Sequence, residues 1–215
     1  MSRSWLWVSL VEVFLVSAIL ASPVLAGGPF RENFSGRSLR GREWAINLNG
    51  GDVMVAGGVL NTSAFRSSSF PYVHTASDPF ASFNDFTVKV GFFYPSVTNY
   101  GTGVVLDTGT PSNGALAASY APVMSVWQDW TNGLTITFAG QEVYRTGVTK
   151  AYHDLRMDYG AGVYTLYLDE SLIYTSGQTT VRPSSIWIGN YQPIGHLDDW
   201  TDLAIDYVTV TGPGH

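Results

Sequence analysis

The sequence predicts an all-β fold class, a two-sheet antiparallel β-sandwich or jelly roll. Many short segments are rich in β-branched and aromatic residues, and apolar and polar positions alternate within them, as expected for strands with one buried face. Gly, Asp, Asn and Pro separate these segments and favour turns. The sequence shows no heptad pattern, internal repeat or long amphipathic helix. Two packed sheets would give the alternating apolar side chains a common core.

The predicted strands follow an amino-terminal segment, residues 27–42, that we expect to be extended. The alternation is clearest at 86–93, where every second residue is Phe or Val. Asn49-Gly50 is a strong tight-turn signal, and residues 66–83, rich in Ser and Pro, are predicted to form a surface loop. Strands are predicted at 44–48, 52–60, 86–93, 103–107, 121–127, 134–138, 141–144, 152–159, 163–169, 185–191 and 203–210.

Residues 1–26 are predicted to be a secretory signal peptide, and residues 27–215 a single domain. Arg3 supplies a positive charge, an apolar run follows, and small residues suited to a signal peptidase end at Ala26. The alternative is an uncleaved membrane anchor, which the acidic residue and the proline in this stretch disfavour. We therefore expect a secreted protein, extracellular or periplasmic, without membrane contact after cleavage.

Charge and cysteine content exclude several classes of function. The formal net charge is -6, so a phosphate backbone would be repelled and nucleic acid is not an expected partner. The count of cysteines is 0, which excludes thiolate nucleophiles, cysteine zinc sites and iron–sulfur clusters. Edge strands can pair in a dimer, but nothing in the pattern requires an oligomer.

Several segments share their pattern with one superfamily. They are residues 30–36, with Trp44 after them, and residues 153–159, 164–174, 186–190 and 200–208. Together they resemble the concanavalin A-like lectin and glucanase superfamily in its laminin-G-like jelly-roll form. The resemblance implies a hairpin with a short turn at 169–171, a following strand that ends in glycine, and a terminal strand that returns beside the first. It implies no single function, because this fold includes lectins, hydrolases, lyases and spacers.

The same resemblance identifies the catalytic pattern of its hydrolases, which this chain lacks. Retaining hydrolases of the superfamily place Glu-x-Asp-x-x-Glu on one strand, so that two carboxylates flank the sugar bond about 5 Å apart. The atypical alternative is Asp154 with Asp158, on one strand face with Arg156 between them. A solvated face with an ion pair is the simpler interpretation. No catalytic residue is therefore predicted, and an enzyme is not the favoured class.

Aromatic and polar residues around the predicted turn at 129–133 suggest a sugar-binding site. An indole or phenol ring stacks on the apolar face of a sugar, while amides and carboxylates bond its hydroxyls. Trp44 and Trp187 lie among strand residues and are expected to be structural. The candidate ligand-binding residues are Trp127, Gln128, Asp129, Trp130, Asn132, Asn190 and Tyr191, with Trp130 as the main platform.

The acidic segment 196–202 is an alternative metal site. Asp198, Asp199 and Asp202 offer the oxygen ligands that calcium prefers. The competing interpretation is a polar loop in which an Asp caps a turn. Because no Asp-x-Asp-x-Asp-Gly pattern occurs, we predict no cofactor, with Ca²⁺ as the alternative.

The favoured function is a secreted, non-enzymatic domain that binds an extracellular glycan or another polymer. One alternative is a glycoside hydrolase or polysaccharide lyase with an atypical carboxylate arrangement. The other is a structural or adhesive module whose aromatic residues are nearly all buried.

Overall fold

The computed structural model describes residues 28–48, 50–64, 71–95, 102–109, 123–128, 133–147, 150–190 and 201–213. Among these residues it contains strands and no helix, so none of them forms a helix able to cross a membrane. The predicted signal peptide lies outside the described residues, and its cleavage stays a prediction. The strands are β1 (Phe30–Glu32), β2 (Trp44–Asn47), β3 (Asp52–Ala56), β4 (Val59–Ala64), β5 (Tyr72–Thr75), β6 (Phe86–Phe93), β7 (Thr102–Asp107), β8 (Met124–Gln128), β9 (Gly133–Phe138), β10 (Gln141–Gly147), β11 (His153–Gly160), β12 (Val163–Leu168), β13 (Ser171–Thr175), β14 (Ser185–Asn190) and β15 (Thr201–Thr211).

Two antiparallel sheets form the sandwich, as the sequence predicts. Sheet A has the order β13-β12-β11-β6-β15-β4-β3, and β1 also pairs with β15. Sheet B has the order β10-β9-β8-β7-β14-β5-β2. The terminal strand β15 therefore lies beside the first strand, and Asp169 and Glu170, both with positive φ, form the short turn between β12 and β13.

The core lies between the sheets and is built by the alternation seen in the sequence. In β6, Phe86, Val88 and Val90 are at most 1% exposed, whereas Lys89 between them is exposed. Burial of a side chain of this size contributes about 1.5–3 kcal/mol. The two layers meet through contacts such as Tyr164 in β12 against Phe138 in β9, with ring centroids 5.3 Å apart. One large cluster of buried apolar residues spans both sheets.

Two local predictions are wrong. The surface loop expected at 66–83 contains β5, a buried strand of sheet B. Four residues between Ser- and Pro-rich flanks are too few for alternation to be recognised. The single strand expected at 52–60 is a hairpin of β3 and β4, because Gly57 and Gly58 adopt φ values of 63° and 82° and form a two-residue turn.

Candidate functional site

The candidate site is the face of sheet B that points away from the core. In β14, Ile186 and Ile188 pack into the main core, so Trp187 between them lies on the opposite face. There it forms a second, separate cluster with Tyr72 and Val105, and Trp127 packs against this cluster. Trp44, in contrast, belongs to the main core, as expected. Trp187 is buried without contributing to the inter-sheet core.

Aromatic rings are concentrated on this face. Trp187 stacks on Tyr72 with centroids 4.5 Å apart and on His74 with centroids 4.9 Å apart. We call Tyr72, His74, Trp127 and Trp187 the aromatic cluster. Trp187 is only 3% exposed and Tyr72 only 6%, whereas His74 and Trp127 are partly exposed. The last two therefore present the accessible part of the cluster.

One cross-strand row places two glycines between two of these rings. Strand register places Tyr72, Gly189, Gly103 and Trp127 side by side on β5, β14, β7 and β8. The two central positions have no side chain, and the flanking Cα atoms are about 14 Å apart at the usual strand spacing. We call this row, two glycines with an aromatic residue on each side, the trough; both glycines and Tyr72 are buried, so its accessible part is the side at Trp127.

Both central glycines are required by the backbone. A Cβ atom on Gly103 would lie 1.9 Å from the carbonyl oxygen of Val126. Gly189 has a φ of 126°, and a Cβ atom there would lie 2.4 Å from the carbonyl oxygen of Pro71. L-residues rarely adopt such a φ, so glycine is the only residue that fits without strain. Gly189 is also the strand-ending glycine that the resemblance implies.

Polar groups surround the rings and hold them in place. The Asn47 Nδ2 amide donates to the Tyr72 hydroxyl at 2.9 Å. Trp187 Nε1 donates to the Ser185 hydroxyl at 3.3 Å, and Ser185 in turn donates to the Gly109 carbonyl at 2.6 Å. These bonds fix the ring orientations, because a buried ring with a satisfied polar group has few alternative rotamers.

A buried carboxylate lies at the end of β7 on the same face. Asp107 is 1% exposed, and its Oδ1 accepts the backbone N–H of Thr108. Its Oδ2 is buried and has no hydrogen-bond partner among the described residues. Burial raises the pKa of Asp107 above its usual value, although hydrogen bonds from the N–H groups of Thr108 and Gly109 oppose this effect. This oxygen is closed to solvent, so Asp107 lies beneath the accessible surface of the face and is not part of it.

We expect Asp107→Asn to raise the melting temperature at pH 7. A carboxyl group with a raised folded-state pKa contributes stability below its unfolded pKa of about 3.9 and loses it as pH rises through the folded pKa. Asparagine imitates the protonated form, so its advantage should shrink as pH falls towards about 3.9. Thermal melts across pH measure this. Asp52→Asn, at an exposed position, controls for charge, and a D107N gain that is independent of pH would contradict the prediction.

The structure does not bring the described residues predicted for sugar binding together on one face. Trp127 lies on the aromatic face, as described above. Gln128 follows it on the opposite face of β8 and is fully buried, so its side chain is closed to a ligand. Asn190 ends β14, where its backbone pairs with Thr102. The remaining four candidates lie outside the described residues: Asp129, Trp130, Asn132 and Tyr191.

The candidate carboxylate pair lies on the outer face of sheet A, away from the aromatic cluster. Asp154 accepts a hydrogen bond from the Tyr207 hydroxyl. Asp158 accepts one from Thr87 at 2.8 Å and pairs with Arg156 at 3.2 Å. The two carboxylates line different surface depressions. They do not converge on one cleft, and the ion pair lies within β11.

The candidate calcium ligands are only partly covered by the described residues. Asp198 and Asp199 lie outside them, and Asp202 is in β15, half-buried, opposite Ser63. In the described part of the chain, no three His, Asp or Glu side chains are grouped so as to hold a metal. Calcium binding at this segment stays a prediction.

Solved structures show which fold this arrangement represents. No protein-family model and no curated protein sequence matches the chain. A Bacillus licheniformis β-glucanase is similar, with a TM-score of 0.60 and 15% identity over 86% of this chain and 98% of the other. So are an alginate lyase of polysaccharide lyase family 7 (TM-score 0.59, 12% identity, 79% and 94%) and the Emp47p carbohydrate recognition domain (TM-score 0.57, 12% identity, 85% and 94%). The chain thus has the concanavalin A-like jelly-roll fold.

Proposed function

We propose that this protein binds a carbohydrate polymer across the outer face of sheet B without cleaving it. The observation that carries the proposal is the trough in which Tyr72 and Trp127 flank Gly103 and Gly189. A sugar ring entering the trough stacks on the partly exposed indole of Trp127.

The ligand class is supported by what the similar structures are named for. The three described above are a glucanase, an alginate lyase and a carbohydrate recognition domain. The predicted signal peptide supports an extracellular or periplasmic location, where such polymers occur. Trp130 and Asn132 follow β8 in the sequence, and Tyr191 follows β14, so we retain them as candidate contributors at the ends of these two strands.

Carboxylate geometry favours binding over hydrolysis. Glycoside hydrolysis by the two-carboxylate mechanism needs a pair about 5–10 Å apart. Among the described strands of sheet B, the carboxylates are Asp107 in β7 and Glu142 in β10. Strands β8 and β9 lie between them, which separates their backbones by at least about 14 Å. Glu142 is also held by Arg145, with an O–N distance of 2.6 Å.

The experiment is a binding and cleavage assay on a panel of neutral and acidic polysaccharides, with Trp127→Ala and Tyr152→Ala. Tyr152 is an exposed aromatic residue outside sheet B and serves as the matched control. We expect Trp127→Ala to weaken binding to the best polymer at least about tenfold, because a central aromatic platform contributes about 2 kcal/mol or more. Tyr152→Ala should bind like the parent protein.

Two outcomes would contradict the proposal. The first is unchanged affinity in a folded Trp127→Ala variant, which would remove the platform. The second is release of soluble sugars by the parent protein but not by Asp107→Asn, which would establish an enzyme with Asp107 as its acid. Circular dichroism and a thermal melt on each variant separate loss of binding from loss of fold.

A further inference from the structure

A second set of ligand-like groups lies on the opposite side of the molecule, on the outer face of sheet A. A depression of about 250 Å³ lies between β1, β15 and β6. Its walls are two cations, two hydroxyl-bearing side chains and one aromatic ring: Arg31, Lys89, Thr209, Thr211 and Tyr207. No carboxylate lines it. This is an unusual composition for a chain whose net charge is -6.

Strand register sets the spacing of the two cations. Arg31, Thr209 and Lys89 are direct neighbours on three adjacent strands, so all three side chains leave the same face. The Cα atoms of Arg31 and Lys89 are about 9.6 Å apart, two strand spacings. Both side chains are exposed, and neither belongs to an ion pair among the described residues. Their charges are therefore available to a ligand.

The ring of Tyr207 is held against the sheet. Tyr207 pairs with Gly91 in β6, and a Cβ atom at Gly91 would lie 2.5 Å from the ring carbon Cε1. The ring therefore occupies the space that a side chain at position 91 would take. Its hydroxyl donates to Asp154, and burial together with this carboxylate raises the pKa of Tyr207, so the hydroxyl stays a donor. The result is an aromatic platform beside two cations.

We propose that this depression binds an acidic polysaccharide, one that bears carboxylate or sulfate groups on its sugar rings. The two cations pair with anionic groups, the threonine hydroxyls bond to sugar hydroxyls, and the ring of Tyr207 receives the apolar face of a sugar. The site is independent of the one on sheet B, because the core of the sandwich lies between the two faces. Because the two faces point in opposite directions, the protein can hold one polymer chain on each of them.

The negative charge of Asp154 lowers the affinity of this site for an anion. Asp154 lies in β11 opposite Gly91, two residues along β6 from Lys89. It lines the neighbouring depression, which shares Lys89 and Tyr207 with the first. Its negative charge opposes that of an incoming anion, and its removal should strengthen binding. A gain in affinity cannot arise from damage to the fold, which makes Asp154→Asn a sharp test.

The experiment is calorimetric titration with two probes of equal length. One is an uncharged gluco-oligosaccharide and the other is a negatively charged oligogalacturonate. We expect Lys89→Gln and Arg31→Gln each to weaken oligogalacturonate binding about two- to fivefold, and the double variant about tenfold. Asp154→Asn should strengthen it about twofold. Binding should weaken greatly in about 1 M salt, where the Debye length is about 3 Å. Lys150→Gln, at an exposed lysine elsewhere, is the matched control and should change nothing.

Each contrary outcome overturns the proposal. Unchanged affinity of the double variant for oligogalacturonate would show that the depression is not the binding site. A loss of affinity in Lys150→Gln as large as that in Lys89→Gln would show the same. Equal affinity for an oligonucleotide of the same charge shows a general polyanion surface instead of a glycan site. Trp127→Ala separates this proposal from the function of sheet B. It should weaken binding of the uncharged probe, while Lys89→Gln and Arg31→Gln still weaken oligogalacturonate binding in its background.

Discussion

Replacing Gly103 by alanine is expected to lower the free energy of unfolding by about 3 kcal/mol or more. The new Cβ atom would lie 1.9 Å from the Val126 carbonyl oxygen and 2.8 Å from the Trp127 Cα atom, both in the backbone of β8. Backbone atoms cannot relieve a steric clash by a change of rotamer, as a flexible side chain can. Strands β7 and β8 must therefore move apart. For a domain of this size the melting temperature should fall by about 6–12 °C. Thermal and denaturant unfolding measure the effect.

Gly147→Ala is the matched control for this substitution. A Cβ atom at Gly147, at the end of β10, would meet nothing within 4 Å. Its effect should stay within about 0.5 kcal/mol. Equal stability of the Gly103 and Gly147 variants would show that β7 and β8 do not pair as closely as described, and the trough beside Trp127 would lose its structural basis.

Tyr164→Ala is expected to have the second large effect, about 4 kcal/mol. Tyr164 in β12 of sheet A is fully buried and packs on Tyr159, with centroids 4.5 Å apart, and on Phe138 of sheet B. Its hydroxyl donates to the Val181 carbonyl at 2.7 Å. Alanine leaves a cavity between the two layers and removes this hydrogen bond.

Tyr164→Phe separates the two contributions. It keeps the ring and removes only the hydroxyl, so the loss should be about 1 kcal/mol. Chemical denaturation of both variants gives the two values. If alanine destabilised the protein no more than phenylalanine, Tyr164 would not lie in an inter-sheet core, and the two-layer packing would be wrong at this point.

The fold could be predicted because its main signal is local. Alternate residues of β6 are Phe or Val, and this pattern alone assigns one face of the strand to a core. The same logic fails in β14, where Ile186, Trp187 and Ile188 are all buried. Because sheet B buries apolar residues on both faces there, alternation shows that Trp187 lies opposite its neighbours but not which face is the core.

The candidate site depends on register, which a single sequence does not contain. Gly103 and Gly189 come together with Tyr72 and Trp127 only through pairing of distant strands. Tyr72 is harder still to identify, because the Ser- and Pro-rich composition of residues 66–83 indicates a loop and not a strand. Asp107 had one local signal, a lone acidic residue at the end of an apolar strand, but its burial depends on groups far along the chain, such as Ser185 in β14.

The most direct test of sugar binding on sheet B is a nuclear magnetic resonance titration with an uncharged oligosaccharide that the protein binds. The account predicts that the indole N–H signals of Trp127 and Trp187 and the amide signals of Gly103 and Gly189 shift together. The indole signal of Trp44, in the main core, should stay in place. Saturable binding that shifts Trp44 or residues of sheet A, and leaves Trp127 and Gly103 unchanged, would contradict the account.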